Sequence, residues 1–237
     1  METMGEQQIT QTKSLQEEMA ASGVHFGHKT SKTHPKMRPY IAGIRNTVHV
    51  INVDKTIEKL EDALKAIGGL VREGKKILFV GTKIQLRGLV EGIASACDLP
   101  YVSRRWIGGT FTNFSEITKR IEHVKDLESK QESGELVKKY TKKERLEISR
   151  EVERLLQNFG GLKHMDRLPD AVFICDPVEN ETAVREADRM GIPIIAICDT
   201  DVDPSRIKYP IPGNDDAISS VKYILGKVQE AILSSRQ

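Results

Sequence analysis

From Val48 onward the chain alternates short β-branched runs with segments of helical period, and this alternation constrains its fold more than any other feature. Several runs, such as Ala171 to Cys175, are apolar at every position, which is typical of strands buried on both faces of a parallel sheet. Helices must then cover both faces of that sheet. The sequence therefore predicts an α/β, doubly wound sandwich with a mainly parallel sheet. The predicted strands are Val48 to Asn52, Lys76 to Val80, Pro100 to Val102, Ala171 to Cys175 and Pro193 to Cys198, and the predicted helices are Ile57 to Val71, Ile84 to Ala96, Glu181 to Met190 and Asp216 to Leu233.

Residues 113–159 interrupt the alternation. They contain no strand candidate, they are dense in charges of both signs, and their apolar residues recur every three or four positions. Ser133-Gly134 predicts a turn, and Thr141 with Glu144 matches a helix capping box. We predict an antiparallel coiled-coil hairpin that projects from the sandwich. Two surface helices lying flat on the core are the alternative, because one apolar stripe serves either packing.

The chain thus divides into an N-terminal extension with the start of a first helix (1–18), an α/β domain (19–112 and 160–237) and an inserted hairpin (113–159). At 237 residues, one such domain can bury a sizeable core without disulfides. Cys97, Cys175 and Cys198 lack C-x-x-C spacing, which favours buried, reduced thiols. Because the sequence shows neither a signal-peptide core nor an apolar run of membrane length, we expect a soluble cytoplasmic protein.

The α/β domain opens with a basic arm, residues 19–53, that contains no Asp or Glu. An even spread of the 34 acidic residues would place about five of them there. A net charge of +2 is too small to attract a polyanion uniformly, so any contact with nucleic acid must come from such a patch. Interleaved Gly, Pro and aromatic residues favour an irregular segment that follows a partner's contour. The candidate RNA contacts of the arm are His25, His28, Lys29, Lys32, His34, Lys36, Arg38 and Arg45.

Two further patches are candidates for RNA contact. Arg104 and Arg105 precede a glycine pair, and arginine forks bind phosphates in a bidentate manner. For Trp106 there are two interpretations: it fills the junction between sheet and hairpin, or it provides a platform on which a base stacks. We favour the first. Lys142 and Lys143 belong to a basic run at the start of the second hairpin helix, which also includes Lys138, Lys139 and Arg145. RNA contact and an ordinary solvated face are equal alternatives for that run.

Carboxylates gather after the predicted strands, where they could bind a cation or do acid/base chemistry. We favour turns and helix caps, which need the same residue types. A mixed metal site with His25 and His28 is a lesser alternative. The turn Val80 to Lys83 lacks both phosphate-loop fingerprints, so a structural turn is favoured over a nucleotide site. We assign no catalytic residue, metal or cofactor. These carboxylates are Asp176, Asp199, Asp201, Asp203, Asp215 and Asp216.

The segment SGVHFGHKTSKTHPKMRPYI closely resembles the N-terminal signature of the bacterial family of ribosomal protein S2. Further blocks of that family follow in the same order, from about residue 19 to 233. The chain has Thr33-His34 where the family often has Trp-Asn. The blocks are NTVHVINVDKT, RRWIGGTFTNF, GGLKHMDRLPDAVFICDP, ETAVREADRMGIPIIAICDTDVDP and YPIPGNDDAI.

The resemblance implies a Rossmann-like or flavodoxin-like sandwich with a projecting coiled coil and no catalytic activity. It also implies a structural protein of the small ribosomal subunit that contacts ribosomal RNA between head and body. Its implied protein partners are neighbouring ribosomal proteins, including the large mRNA-capturing one, in support of translation initiation. We therefore predict a ribosome-bound, cytoplasmic protein without membrane contact or small-molecule substrate. An enzyme acting at the strand-end aspartates and a protein adaptor that uses only the hairpin remain as alternatives.

Overall fold

A computed structural model of the chain describes residues 14–133, 141–163 and 165–236. No helix within these ranges is both long and apolar enough to cross a bilayer. The strands are β1 (Phe26–Lys29), β2 (Ile41–Arg45), β3 (Val48–Ile51), β4 (Ile77–Val80), β5 (Tyr101–Val102), β6 (Ala171–Ile174), β7 (Ile194–Cys198) and β8 (Tyr209–Pro212). The helices are α1 (14–21), α2 (Val53–Arg72), α3 (Arg87–Ala96), α4 (Phe114–Glu132), α5 (Lys142–Phe159), α6 (Glu181–Arg189) and α7 (Ile218–Ser235).

The main sheet is parallel, with strand order β5-β4-β6-β7-β8. This is the flavodoxin-like order, in which the chain first winds to one side of β4 and then to the other. The predicted α/β, doubly wound fold is confirmed. The sequence patterns did not predict β8, because Pro210 and Pro212 argue against a strand. Proline is tolerated there because β8 is an edge strand that pairs only with β7.

Helices cover both faces of this sheet, as predicted. Phe79 and Phe173, on neighbouring strands, face the core beneath α2, α3 and α7, with ring centroids 5.4 Å apart. Leu78 and Val172 point to the opposite face and pack with residues of α4, α5 and α6. Both sets of side chains are fully buried. The alternation of side chains along β4 and β6 therefore supplies two separate cores.

The arm is more regular than predicted. Instead of an irregular segment, it contains an antiparallel sheet of three strands in the order β1-β3-β2. The predicted strand Val48 to Asn52 exists as β3, but it is the middle of this small sheet and not part of the parallel one. Asn46 and Thr47 both have positive φ, at 50° and 65°. Such a turn reverses the chain within two residues, so β3 pairs antiparallel with the strand before it.

The two inserted helices pack against each other and against the sandwich. On α4, Ile117 and Ile121 are buried in the same core as Phe159 of α5. Val124 and Val152, further from that core, are also buried. The capping box at the start of α5 is present, with Thr141 as the N-cap residue. The remaining part of the predicted turn, at Gly134, and the predicted cations Lys138 and Lys139 lie outside the described residues.

Candidate nucleic-acid interface

Four cations of the arm are exposed and lie beyond ion-pair distance of any carboxylate in the described ranges. Strand pairing positions two of them, because Lys29 on β1 and Arg45 on β2 both lie opposite Val48 on β3. Residues opposite one another in antiparallel strands project from the same face. Two strand spacings place these two backbone positions about 10 Å apart. The four cations are Lys29, Lys32, Arg38 and Arg45.

Three other predicted contacts of the arm are engaged with carboxylates of the sandwich. His28 Nδ1 lies 3.0 Å from Asp199 Oδ2, and Lys36 Nζ lies 3.2 Å from Asp203 Oδ1. His34 Nε2 lies 3.8 Å from the other oxygen of Asp203. These three side chains therefore attach the arm to the loop that follows β7. Their contact with RNA stays a prediction, as it does for the four exposed cations.

His25 lies partly buried beside Phe26, with ring centroids 4.0 Å apart. Burial lowers the pKa of His25, and the nearby charge of Arg45 lowers it further. The imidazole is therefore neutral at physiological pH, because its pKa lies below the ordinary value. As a predicted RNA contact, His25 offers a neutral ring and not a charge.

The segment Arg104 to Phe114 presents its two arginines to solvent and buries its tryptophan. Arg104 and Arg105 are exposed, with no carboxylate at ion-pair distance in the part of the chain that the structure describes. Trp106 is only 8% exposed and packs edge-on against Phe111, with ring centroids 4.8 Å apart. The prediction that Trp106 fills the junction between the sheet and the inserted helices is confirmed.

A buried carboxylate holds this segment in place. Glu186 Oε1 accepts hydrogen bonds from Trp106 Nε1 at 3.2 Å and from the Gly109 amide at 2.8 Å. Its Oε2 accepts from the amides of Phe111, at 2.9 Å, and Thr112, at 3.3 Å. Burial by itself raises the pKa of Glu186, but these hydrogen bonds outweigh it and hold the pKa below its usual value. No sequence pattern singled out Glu186, because a glutamate within a helix pattern predicts a solvated face.

Lys142 and Lys143 are exposed in the first turn of α5, with no carboxylate of the described residues at ion-pair distance. They precede Phe159, at the buried end of the same helix, by 16 or more positions. A helical rise of about 1.5 Å per residue places them roughly 24 Å from the core along the helix axis. They form a patch of their own at the far end of the inserted helices.

The carboxyl edge of the parallel sheet holds a closed cluster of charges. Lys83, in the turn after β4, lies 2.7 Å from Asp176, 2.9 Å from Asp215 and 2.7 Å from Asp216 through its Nζ. Burial lowers the pKa of Lys83, but the charge of Asp215 and the contacts with Asp176 and Asp216 outweigh it, so the net pKa is raised. The ammonium is therefore fully charged at neutral pH. No local sequence pattern indicates this role of Lys83.

This cluster lies at the point between β4 and β6 where the winding direction reverses, which is the usual ligand crevice of doubly wound sheets. Here the Lys83 side chain occupies it. Thr82, beside Lys83, donates its hydroxyl proton to Asn180 Oδ1 at 3.1 Å, which engages the turn further with the loop after β6. Among the described residues, no group of three or more His, Cys, Asp or Glu side chains is arranged to hold a metal ion.

The attachment of His28 makes stability depend on pH. The contact with Asp199 outweighs the effect of burial and raises the pKa of His28 to about 9. A raised pKa contributes stability that is complete below the unfolded pKa of about 6.5 and is lost as the pH rises through 9. We expect His28→Gln to lower the free energy of unfolding by about 2 kcal/mol at pH 6, with the difference closing above pH 9. Denaturant titrations at both pH values measure this difference.

The control for this prediction is His123→Gln, on an exposed position of α4. It should change stability little at either pH, because exposed substitutions have small effects. A constant difference between wild type and His28→Gln from pH 6 to pH 10 would contradict the role of the Asp199 contact.

The fold and these surfaces define a class: a doubly wound α/β protein whose usual ligand crevice is filled by its own side chains and which presents exposed cations on an appended arm and on two further patches. Comparison with known proteins gives the family. The family model for ribosomal protein S2 matches residues 19–235. The chain therefore belongs to the ribosomal protein S2 family, whose members are structural, non-enzymatic proteins of the small ribosomal subunit.

Curated relatives support this membership over nearly the whole chain. The small ribosomal subunit protein uS2 of Dictyoglomus turgidum is 46% identical over 222 residues, which cover 94% of this chain and 90% of the relative. The uS2 protein of Roseiflexus castenholzii is 46% identical over 234 residues, which cover 99% and 87%. The uS2 protein of Francisella tularensis subsp. novicida is 43% identical over 223 residues, which cover 94% and 93%.

Proposed function

We propose that this chain is a structural constituent of the small ribosomal subunit and binds ribosomal RNA through its basic arm. The observation that carries the proposal is the set of four exposed arm cations, Lys29, Lys32, Arg38 and Arg45, with no carboxylate at ion-pair distance in the described ranges. Exposed cations outside close ion pairs can displace counterions from RNA phosphates. Phosphate contacts fix orientation without reading sequence, so specificity comes from RNA shape and from neighbouring proteins.

The other exposed cations and the inserted hairpin also have roles in the subunit. Arg104 and Arg105 supply a second RNA contact, and Lys142 and Lys143 supply a third. The chain divides functionally into the N-terminal extension 1–18, the sandwich (19–112 and 160–237) with the arm, and the inserted hairpin 113–159. The protein sits between head and body of the subunit in the cytoplasm and helps to hold the large mRNA-capturing ribosomal protein, which supports translation initiation. Family membership and the exposure of these patches support this assignment.

The test is a quadruple charge-neutral variant of the arm: Lys29→Gln, Lys32→Gln, Arg38→Gln and Arg45→Gln. We expect the tagged wild-type chain to co-sediment with small subunits in sucrose gradients and the variant to stay near the top. A second measurement titrates each protein against small subunits that were assembled without it. The slope of log affinity against log salt concentration should be smaller in magnitude by about 3 for the variant, because each lost phosphate contact lowers that slope by about 0.7 to 0.9.

A matched control carries the same loss of four charges on exposed residues of the sandwich, through Lys65→Gln, Arg72→Gln, Arg189→Gln and Lys222→Gln. This control should co-sediment like wild type. If both variants lose binding equally, net charge and not the arm drives association. If the arm variant keeps the affinity and salt slope of wild type, the arm does not bind RNA.

A further inference from the structure

Besides the contacts of Asp199 and Asp203 with arm side chains, the loop after β7 binds the backbone of the arm through one buried residue, Thr200. Its side chain and backbone are inaccessible to solvent. Thr200 Oγ1 accepts a hydrogen bond from the His28 amide at 3.0 Å, and the Thr200 carbonyl accepts one from the His34 amide at 2.8 Å. The segment between these two amides carries Lys29 and Lys32. Both ends of a cation-bearing loop are therefore attached to a single residue of the sandwich.

Gly27 shows how closely the arm approaches this residue. A Cβ atom at Gly27 would lie 2.6 Å from Thr200 Cγ2 and 3.2 Å from Thr200 Oγ1. Both atoms belong to a side chain that is fully buried. Glycine is needed at position 27 because of this contact, since the absence of a side chain lets the backbone of the arm lie directly against the Thr200 side chain.

Other contacts close the loop against the same region. The Thr30 amide donates to the Thr47 carbonyl at 2.9 Å, which ties the loop to the turn between β2 and β3. Thr33 Oγ1 lies 2.6 Å from Nε2 of the buried His49 side chain on β3. The position of Lys29 and Lys32 relative to Arg45 is therefore defined before any partner binds.

We infer that Thr200 is a positioning residue for RNA binding: it holds the arm in its binding conformation and does not touch RNA itself. The inference rests on the proposed function. Its physical basis is preorganisation, because a loop that is already ordered loses less conformational entropy on binding. Thr200 is buried, so its effect on affinity must pass through the arm.

The test compares Thr200→Val with Thr200→Ser in binding titrations with small subunits assembled without this protein. Valine keeps the shape but removes the acceptor of the His28 amide, whereas serine keeps the acceptor. We expect Thr200→Val to bind about fivefold more weakly than wild type, the effect of one neutral hydrogen bond, and Thr200→Ser to stay within about twofold. The salt slope should equal that of wild type in both, because no phosphate contact is lost.

Measuring the effect of Thr200→Val in a second variant distinguishes a positioning role from general destabilisation of the fold. In Lys29→Gln/Lys32→Gln, the positioned charges are absent, so adding Thr200→Val should weaken binding by less than twofold. Amide hydrogen exchange should be faster at His28 in Thr200→Val, with unchanged exchange at Ile195 in the core strand β7. A merely structural role would weaken binding equally in both backgrounds and would accelerate exchange at both amides.

The outcomes distinguish the two claims. If Lys29→Gln/Lys32→Gln reduces affinity and salt slope but Thr200→Val binds like wild type, the inference is wrong and the proposed function stands. Equal losses from Thr200→Val in both backgrounds also overturn the inference alone. If Lys29→Gln/Lys32→Gln binds with the affinity and slope of wild type, the proposed role of the arm fails, and the inference fails with it.

Discussion

Glu186→Gln should destabilise this protein by about 3 to 5 kcal/mol, because it leaves two buried N–H donors without an acceptor, at about 1 to 3 kcal/mol each. The substitution keeps the size of the side chain but replaces one acceptor oxygen with an amide that donates. In either orientation of the new side chain, its NH₂ group faces two other donors. These are the amides of Phe111 and Thr112 in one orientation, and the amide of Gly109 and the indole of Trp106 in the other. Denaturant unfolding at pH 7, with wild type measured in parallel, gives the difference in free energy.

Glu181→Gln is the matched control, since Glu181 lies on the same helix with an exposed side chain. It should change stability by no more than about 0.5 kcal/mol. Because the folded pKa of Glu186 is lowered, its contribution is complete above the unfolded pKa and is lost as the pH falls through the folded value. The difference between wild type and Glu186→Gln should therefore shrink in acid. Similar small effects of both substitutions would show that the buried carboxylate does not hold the loop.

Lys83→Met should have an effect of similar size, about 3 to 5 kcal/mol near neutral pH, because it leaves buried carboxylates without their countercharge. The side chains of Asp176 and Asp215 are only 6% and 3% exposed, and Lys83 contacts both. Methionine fills a similar volume, so loss of charge dominates over loss of packing. Thermal or denaturant unfolding of the purified variant measures the loss.

If loss of charge causes the destabilisation of Lys83→Met, two further results are expected. Burial raises the pKa of Asp215, with the charge of Asp176 adding to the shift, so this carboxyl takes up a proton readily once the lysine is removed. The destabilisation should therefore be smaller at pH 5 than at pH 8. Adding Asp215→Asn should recover a large part of the lost stability. If the double variant is as unstable as the sum of the two single ones, packing and not charge explains the effect.

Periodicity was enough to predict β4, β5, β6 and β7 of the main sheet. The runs that became β4, β6 and β7 are short and uniformly apolar, and only a strand covered on both faces by helices buries such runs completely. The strand β8 escaped prediction, since its two prolines are compatible with a strand only at a sheet edge. The position of a strand at the edge depends on the winding of the whole sheet. A local sequence pattern therefore cannot predict that position.

The arm shows a similar division. Its lack of acidic residues marked it as a cationic surface, but it did not show which cations have carboxylate partners in the fold. Asp203, which contacts Lys36, is 167 positions away in the sequence. Distances of this kind are set when the loop after β7 folds against the arm, so Lys36 and Lys29 are indistinguishable in the sequence and differ in the structure.

The sequence by itself determined the class of fold, the cationic arm and the family, because these depend on local periodicity, local charge density and ordered motifs. Only the tertiary structure decided that Lys83 fills the crevice of the sheet, that Glu186 holds the segment behind Arg105, and that Thr200 seats the arm. Each of these side chains has ordinary neighbours in the chain. Each takes its role from partners more than 70 residues away, which only the packing of the sheet and its loops brings within hydrogen-bond distance.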